Sequence, residues 1–450
     1  MSASDEQSIN VDSYQHSRAS SKDKLSEFLP RLSEYASMRN YETKDLQNVS
    51  GLSPFINYRA LGEWEVLDEV LKDYDQNRIS KFIDELFWRS YWTGWMESHP
   101  KVWEDYIENL AKLEVHWKSK ISYQEAIQGE TELEIFNQWN QQLIESGYLH
   151  NHARMWYASI WIFTLKLPWQ LGANHFLKHL LDGSESVNTL SWRWVAGLQT
   201  KGKAYFAREQ NIKKYSFRSV EGLRSLEIPS QLSIQDHETF PLVEISKLDE
   251  VDSVLNPSLF ESPMGLVLFP SDLIPEIGEL HDAAFSSIAI FEDLNISKKL
   301  HSSVSHEFYK EIERDAIERI SNHWYAEIVR IDGAEFPSAK YNSHTDNVGL
   351  LCKKRLYSGA FDDWVASVVG WAKQENLRSV CWYEPPIGYE RENSKLLKFR
   401  LEQNGIVSKI IRRKWDELTF VHCQKGFFQF KKKIPSIMPE LLDYYSTSLN

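Results

Sequence analysis

The dipeptide Ser53-Pro54 could begin a helix whose first turn binds an anion. Serine serves as an N-terminal cap, and proline suits the first turn of a helix. The free backbone N–H groups and the helix dipole at such an end attract negative charge, phosphate in particular. Taken alone, however, these two residues indicate an ordinary capped helix more strongly than an anion site.

The cysteines and histidines form no metal-binding pattern. The three cysteines lie far apart, with neither metal-ligand spacing nor the spacing of a disulfide framework: Cys352, Cys381 and Cys423. His150 and His152 are two positions apart, so they do not share one face of a helix. We therefore predict no metal, and the cysteine usage fits a reducing compartment.

The tryptophans could fill a core or carry electrons. The chain contains 17 of them, and 12 precede residue 200. Large rings fill the core of a helical domain, and for each ring by itself this is the stronger interpretation. Because indole can be oxidised, closely spaced tryptophans could also pass an electron from the surface to a buried acceptor.

Length and composition describe an ordinary globular chain. Its 450 residues are 42% apolar and 26% charged, and this length favours two domains. A net charge of −13 excludes a generally basic nucleic-acid coat, so any nucleic acid would need a local positive groove. The longest apolar stretch, Trp156 to Trp169, is too short to cross a bilayer, and the N-terminus lacks the pattern of a secretory signal. We expect a cytoplasmic protein without membrane contact.

The first half shows helical spacing of apolar residues. They recur at three- and four-residue steps, as in Leu25, Phe28, Leu29, Leu32 and Tyr35. We predict a helical domain over residues 12–215, with functional loops between the helices. Residues 216–262 contain several prolines and no sustained period, and they read as a linker.

The second half alternates short apolar runs with helices. Six candidate strands are GLVLF, SIAIF, AEIVRI, NVGLLC, SVCWY and IVSKII. Helices are predicted from Asp362 to Asn376 and from about Asn393 to Asn404-Gly405. Strands that alternate with helices indicate a Rossmann-like parallel α/β domain over residues 263–436. The basic runs Lys409–Lys414 and Lys431–Lys433 are interpreted as solvated faces or salt-bridge donors.

Two motifs within the first half carry a family resemblance. Gly147 to Met155 follows the pattern G-W-M-H-N-R-x-R-M, and Leu180 to Trp194 follows L-x-D-G-D-x-A-x-N-x-x-x-W-x-W, with preserved spacing between the two. This stretch resembles the flavin-binding core of the photolyase/cryptochrome family. Upstream segments at Tyr35–Arg39, Ser50–Pro54 and Glu85–Arg89 resemble further motifs of the family, so the resemblance covers essentially the whole first half.

The resemblance implies an FAD cofactor. The positions that match cofactor-binding residues of the family are Tyr35, Ser50, Leu52, Ser53, Arg89, Asn151, Arg154, Asp182, Ser184 and Asn188. Ser50, Leu52 and Ser53 would bind the pyrophosphate. Arg154 and Asp182 would form an ion pair at the edge of the isoalloxazine ring, and a purely structural pair is the alternative. Asn188 would face flavin N5 and bias its protonation, whereas an asparagine in a loop turn is the alternative.

The resemblance also implies an electron relay and a lesion site. Trp192, Trp169 and Trp117 match the three tryptophans of the relay, with a one-residue gap at Trp117. The positions that match contacts to a flipped pyrimidine dimer in damaged DNA are Glu85, Trp88, Asn151, Met155 and Trp194. Three substitutions, His152, Ser184 and Ala207, depart from the family pattern. The lost arginines weaken phosphate contacts to DNA. For the five lesion-contact positions, an ordinary role in the core or at the surface is therefore nearly as well supported as lesion binding.

The second half resembles the antenna domain of the same family. Leu266–Leu273 resembles the strand that opens that domain, and Gly426–Pro435 the segment that closes it. In the family the α/β domain comes first, so we predict a circularly permuted relative in which each domain keeps its own core. Pro270 and Ser271 replace the family's arginines, which weakens the case for an antenna chromophore. Three cysteines cannot hold the iron–sulfur cluster of one family branch.

Three functional hypotheses follow from the resemblance. The first is repair of cyclobutane pyrimidine dimers by electron donation from light-excited reduced FAD, a lyase activity. The second is a cryptochrome-like sensor that photoreduces FAD without repair and acts on a protein partner, which the acidic balance, His152 and Ala207 favour. The third is a relative that retains FAD as a structural element with no light function.

Overall fold

Helices form most of the first half of the protein. In the computed structural model the described residues are 16–200, 203–220, 262–292, 302–332, 352–354 and 364–448. Twelve α-helices lie within the described part of this half: α1 Arg18–Phe28, α2 Tyr35–Met38, α3 Ser53–Asn57, α4 Glu63–Asp73, α5 Ser80–Ser98, α6 Lys101–Trp117, α7 Ile121–Gln128, α8 Glu134–Ser146, α9 Asn151–Ser159, α10 Trp169–His179, α11 Glu185–Val195 and α12 Glu209–Tyr215. A 3-10 helix follows α1 (Leu29–Glu34), and a π-helix follows α9 (Ile160–Thr164). The helical prediction for this half is confirmed.

Six parallel strands form one sheet in the second half. They are β1 Met264–Leu268, β2 Ser287–Glu292, β3 Glu327–Asp332, β4 Cys352–Lys354, β5 Ser379–Tyr383 and β6 Val407–Ile411, in the spatial order β4-β3-β2-β1-β5-β6. All six predicted segments contribute, although β4 starts at Cys352, the last residue of the predicted run. Residues 347–351 lie outside the described residues. Strand order reverses between β1 and β5, and such a switch point opens a crevice at the carboxyl ends of the strands.

Among the described residues of this half, three helices cover the two faces of the sheet: α13 Ser303–Trp324, α14 Trp364–Gln374 and α15 Tyr389–Gln403. One face packs against α13, and the other packs against α14 and α15. The end of α14 was predicted at Asn376 and is confirmed, since Asn376 adopts a left-handed φ of 53°. Its predicted cap at Asp362 lies outside the described residues. Helix α15 begins at Tyr389 rather than Asn393, and it ends as predicted before Gly405, whose φ is 72°.

The last helices pack on the first half. They are α16 Lys414–Phe420, α17 Phe427–Lys431 and α18 Ile434–Ser448. The Trp415 indole stacks on Phe87 of α5 with 5.0 Å between ring centroids, and its Nε1 donates to Ser90 Oγ at 2.8 Å. Tyr445 of α18 stacks on Trp64 of α4 at 4.1 Å.

One hydrophobic core therefore joins the two halves. It contains side chains from α1, α4 and α5, from the α13 face of the sheet and from α16 to α18. Each half also keeps a core of its own, as expected: one further cluster lies almost wholly in the first half, and another lies between the sheet and helices α14 and α15. The shared core arises because α13, which packs on the sheet, also meets first-half rings such as Phe55, and because α16 to α18 pack on α5 and α4. Of the predicted linker, residues 221–261 lie outside the described residues.

Candidate functional site

An enclosed ion pair links the two signature segments. Arg154 on α9 contacts Asp182, which precedes α11, through two parallel hydrogen bonds of 2.9 and 3.0 Å. Arg154 Nε also donates to the carbonyl oxygen of Leu149 at 2.8 Å. Burial opposes ionisation of Asp182, but the adjacent guanidinium outweighs it and lowers the pKa of this carboxyl. Such a two-point pair fixes the orientation of both side chains.

A glycine lets these two segments meet. Gly147 ends α8 with a left-handed φ of 64°, and its carbonyl oxygen accepts a hydrogen bond from the Leu181 N–H at 2.9 Å. A Cβ atom at Gly147 would lie 2.7 Å from Leu181 Cγ. The start of the first signature and the start of the second therefore pack directly on each other, which positions Arg154 opposite Asp182.

Ser53 plays a different part from the one predicted. The N-cap residue of α3 is Leu52, and Ser53 occupies the first helical position without a capping bond. Its hydroxyl is close enough to the Asp182 carboxyl to help lower the pKa of that group. The prediction of a serine N-cap is thus wrong, because the cap position falls on Leu52, whose side chain has no hydrogen-bonding group. Proline at the second position of α3 agrees with the prediction.

Arg89 lies close to the same group of residues. Its Nη2 donates to Asn57 Oδ1 at 2.6 Å. Burial lowers the pKa of Arg89, while the nearby carboxyls of Glu63 and Asp182 oppose this shift. The structure therefore brings together Ser53, Arg89, Arg154 and Asp182 from four separate stretches of sequence.

Asn188 and Ser184 both lie on or next to α11. Ser184 is the N-cap and accepts a hydrogen bond from the Val187 N–H at 3.5 Å. Asn188 sits inside the helix, 8% exposed, and its Nδ2 donates to the carbonyl oxygen of Ala173 at 2.8 Å. The alternative of an asparagine in a turn is therefore wrong. With this donor engaged, Oδ1 remains as an acceptor.

Two cavities adjoin the predicted cofactor residues. The first has a volume of about 110 Å³ and is lined by Arg89 and Ser184 among other groups. The second has a volume of about 550 Å³ and is lined by Ser50, Gly51 and Tyr148, with the cations Lys24 and Arg31. The charged and hydroxyl groups in these walls are of the kind that bind phosphate and ribityl oxygens.

The other predicted cofactor residues differ in exposure. Leu52 is only 1% exposed, and Tyr35 is half-buried with its ring against Phe28 and Phe82. Asn151 is the first residue of α9 and is exposed. Its Nδ2 lies 3.9 Å from the sulfur of Met155, a weak contact.

The predicted lesion contacts are partly occupied by other side chains. Glu85 pairs with Arg39 at 2.8 Å. The Trp88 ring lies parallel to Phe427 of α17, with 3.6 Å between centroids and 8° between planes, so one face of this indole is covered. Trp194 likewise stacks on Tyr205, at 5.7 Å. Only the remaining faces of these two rings could receive a base.

The three relay tryptophans sit on three different helices. Trp192 is 2% exposed within α11, Trp169 begins α10, and Trp117 ends α6. Trp169 stacks on Tyr106 at 5.5 Å, and the guanidinium of Arg193 lies 5.9 Å from its ring centroid. Among the ring contacts of the described residues, none joins two of these three tryptophans.

The two histidines of the first signature are shielded within the protein. His150 contacts the Arg39 carbonyl oxygen at 3.1 Å through Nε2. Burial lowers the pKa of both His150 and His152 to about 4, so both rings are neutral at pH 7. The described residues contain no cluster of metal-ligating side chains, and none of their helices is both long and apolar enough to cross a membrane.

Sequence reasoning missed a charged junction between the two halves. The pairs that cross it join Arg391 to Glu97 at 2.8 Å, Arg59 to Asp416 at 2.5 Å and Arg59 to Asp272 at 3.3 Å. Within the second half, Arg413 also pairs with Asp272, at 2.6 Å. Only the basic run Lys409–Lys414 pointed to it, through the salt-bridge interpretation, and Arg413 is 1% exposed. Its partner lies 141 positions away, so no local pattern reveals the pair.

Comparison with known proteins gives partial matches. Residues 82–219 match the family model described as the FAD binding domain of DNA photolyase. The deoxyribodipyrimidine photo-lyase of Vibrio cholerae is 26% identical over 182 residues, which are 39% of this chain and 38% of that protein. The enzyme of the same name from Streptomyces griseus is 35% identical over 189 residues, covering 38% and 40% of the two chains. The chain thus spans about two fifths of the length of these relatives.

Two solved structures show weaker likeness. A class III photolyase from Agrobacterium tumefaciens is 24% identical with a TM-score of 0.38, covering 44% of this chain and 42% of that one. The Synechocystis cryptochrome is 20% identical with a TM-score of 0.39, covering 48% and 46%. TM-scores this low support no argument from either structure. The family model and the sequence relatives show that residues 82–219 are similar to the FAD binding domain of DNA photolyase.

Proposed function

We propose that this protein is an FAD-binding blue-light flavoprotein that repairs cyclobutane pyrimidine dimers in DNA. The observation that carries the proposal is the two-point Arg154–Asp182 pair, with Ser53 and Arg89 close enough to help lower the pKa of the Asp182 carboxyl. The pair belongs to the segment that matches the FAD-binding family model. Its sequence neighbours Leu181 and Gly183 line the two cavities, and an anchored charge pair next to a cavity can orient a polar, anionic dinucleotide.

The residues present fit such a cofactor. Bound FAD supplies light-driven one-electron chemistry, and the protein supplies its binding and orientation. Ser50, Leu52 and Ser53 would hold the pyrophosphate, and Arg154 with Asp182 would fix the ring edge. Asn188 would present its free Oδ1 as an acceptor to a protonated ring nitrogen, since Nδ2 is engaged by Ala173. Tyr35, Arg89, Asn151 and Ser184 would complete the walls.

The lesion would bind at the mouth of this site. A flipped pyrimidine dimer requires carboxylate, amide and apolar surfaces, and these are supplied by Glu85, Trp88, Asn151, Met155 and Trp194. The open faces of Trp88 and Trp194 would stack on the lesion, with their other faces backed by Phe427 and Tyr205. Such backing holds each indole in one orientation.

A second function is favoured by a specific observation. Because Phe427 covers one face of Trp88, the surface left for a lesion is reduced. A protein that photoreduces FAD without repair, and signals to a protein partner, would not need this surface.

We also propose that the helices-first order reflects circular permutation of the family's two domains, which the order of elements supports.

A repair assay on the FAD-loaded protein tests the first function. We expect the chemically reduced protein to restore a thymine-dimer oligonucleotide under blue light and not in the dark, measured by chromatography of the oligonucleotide. Photoreduction of FAD without repair would instead indicate the sensor function. Failure to retain FAD at all would contradict both functions.

A further inference from the structure

Among the ring contacts of the described residues, Trp161 is the tryptophan that meets Trp192. The two indoles meet edge to face, with 6.2 Å between centroids and 86° between planes. Both are buried, at 2% exposure for Trp192 and 0% for Trp161. Gly172 of α10 allows this approach: a Cβ atom there would lie 2.3 Å from Trp192 Cη2 and 2.9 Å from Trp161 Nε1. Any larger residue would have to displace one of the two rings.

Trp161 is held in a fixed orientation. It lies in the π-helix that follows α9, a rare geometry that recurs at functional sites. Its Nε1 donates to the carbonyl oxygen of Pro168 at 2.9 Å. On its outer side Trp161 meets the ring of Tyr123 on α7, at 6.2 Å and 89°. Tyr123 is half-buried, so these three rings lead from Trp192 towards the surface.

The relay predicted from the family resemblance is less well arranged for oxidation. The Arg193 guanidinium stands 5.9 Å from the Trp169 ring centroid, and its positive charge opposes removal of an electron from that indole. The ring neighbour of Trp169 is Tyr106, and that of Trp117 is His116 at 6.1 Å. Neither ring contact leads to Trp192.

We propose that electrons reach Trp192 through Tyr123 and Trp161 rather than through Trp117 and Trp169. This inference rests on the proposed light-driven FAD chemistry. With FAD bound and excited by light, the Trp192 indole would give up one electron. Trp161 would then reduce Trp192, and Tyr123 would reduce Trp161 while its phenolic proton passes to solvent. An added thiol would return one electron and one proton to Tyr123, and two of the resulting thiyl radicals would combine to a disulfide.

Tyr123 has the properties of a terminal donor. Partial burial and the nearby carboxylate of Glu114 raise the pKa of its phenol, so it keeps its proton until it is oxidised. The negative charge of Glu114 also favours loss of an electron from the ring. Glu114 is itself held by Asn174 Nδ2 at 3.0 Å.

Photoreduction of three variants tests the route. Trp161→Phe and Tyr123→Phe, together with Trp169→Phe on the competing route, are loaded with FAD and illuminated with blue light. We expect photoreduction to slow by at least about tenfold in Trp161→Phe and to stay within about twofold of the wild type in Trp169→Phe. Circular dichroism and flavin absorbance confirm that each variant folds and binds FAD.

A radical signature gives a second readout. Freeze-trapped illuminated wild type is expected to show a tyrosyl radical by electron paramagnetic resonance, and Tyr123→Phe a tryptophanyl radical that decays faster. Tyr123→Phe alters a half-buried ring by one hydroxyl, so this readout decides the route even if Trp161→Phe does not fold.

Three outcomes overturn the route while leaving the proposed function intact. They are loss of photoreduction in Trp169→Phe but not in Trp161→Phe, equal loss in both, and an unchanged radical signal in Tyr123→Phe. Absence of photoreduction in the FAD-loaded wild type would instead contradict the proposed function together with the route.

Discussion

At the scale of single residues, the site depends on charges that are kept out of water and paired. The Asp182 side chain is 6% exposed and that of Arg154 is 23% exposed. Removing one member of an enclosed pair leaves the other charge without compensation, and this costs more than the pair itself contributes. The Leu149 carbonyl oxygen also accepts a hydrogen bond from Arg154 Nε, and the nearby Ser53 hydroxyl helps lower the pKa of Asp182. This local arrangement is therefore expected to be sensitive to substitutions that keep its shape but change its charge.

Asp182→Asn tests this dependence. The substitution removes the negative charge with little change of volume, and we expect the free energy of unfolding to fall by about 2 kcal/mol, less than for a fully enclosed pair because Arg154 keeps some contact with solvent. We also expect loss of bound flavin. Urea denaturation and flavin absorbance measure the two effects. Lys112→Ala breaks an exposed pair with Glu108 and serves as the control, with no measurable change in either quantity.

At the scale of elements, helix α5 meets α16 through a glycine. A Cβ atom at Gly94 would lie 2.7 Å from Phe420 Cδ1, 2.9 Å from the Phe420 Cα atom and 2.9 Å from Cys423 Sγ. A glycine in the middle of a helix usually lowers its stability. Here it permits close contact between two helices that come from opposite ends of the chain, and the Trp415–Ser90 hydrogen bond lies in the same contact.

Gly94→Ala is expected to destabilise the protein. Alanine improves helix propensity by about 1 kcal/mol, whereas overpacking against backbone costs about 1–3 kcal/mol. Because part of the clash is with the Phe420 backbone, which cannot rotate away, we expect a net loss of about 1–2 kcal/mol in thermal or urea unfolding. Gly426→Ala meets no atom within 4 Å and is the control. Equal stability of the two variants would contradict the close contact.

At the scale of the whole molecule, two carboxyls face each other where the halves meet. Glu185 begins the first turn of α11, and Glu390 lies in the first turn of α15, where it accepts hydrogen bonds from the hydroxyl and N–H groups of Ser271 at 2.6 and 3.2 Å. Burial raises the pKa of Glu185 to about 7. Burial and then the charge of Glu185 raise the pKa of Glu390 to about 8. A Cβ atom at Gly388 would lie 2.9 Å from Glu185 Cδ, so the two halves are in direct contact there.

The stability of the protein is therefore expected to fall as the pH rises. A carboxyl whose pKa is higher in the folded than in the unfolded state binds its proton more tightly when folded, so its stabilising effect is complete below the unfolded pKa and is lost as the pH passes the folded value. Histidines with lowered pKa, such as His150, act in the opposite direction, but only below the unfolded histidine pKa of about 6.5. Between about pH 6.5 and pH 9 the two glutamates should dominate.

Urea midpoints over this pH range test the expectation. The wild type should lose stability between pH 7 and pH 8, the values at which Glu185 and Glu390 titrate. The double variant Glu185→Gln/Glu390→Gln should show a flatter profile and exceed the wild type at the upper end. Lys101→Ala, in an exposed helix pair, should retain the wild-type profile. A wild-type midpoint that does not change from pH 6.5 to pH 9 would contradict the enclosure of these carboxyls.

Local patterns in the sequence determined most of the elements and the content of the site. Apolar spacing predicted the helices of the first half and five of the six strands, with β4 overlapping its predicted run only at Cys352, because burial of one face or both is written into neighbouring residues. The family resemblance of the signature motifs implied the pairing of Arg154 with Asp182, which the structure shows. Tertiary structure alone decided which rings touch Trp192, which residue precedes α3 as its N-cap and how the halves share a core. These depend on contacts such as Trp415 to Ser90, 325 positions apart. Partners at such separation are selected by three-dimensional packing, and no periodicity along the chain encodes them.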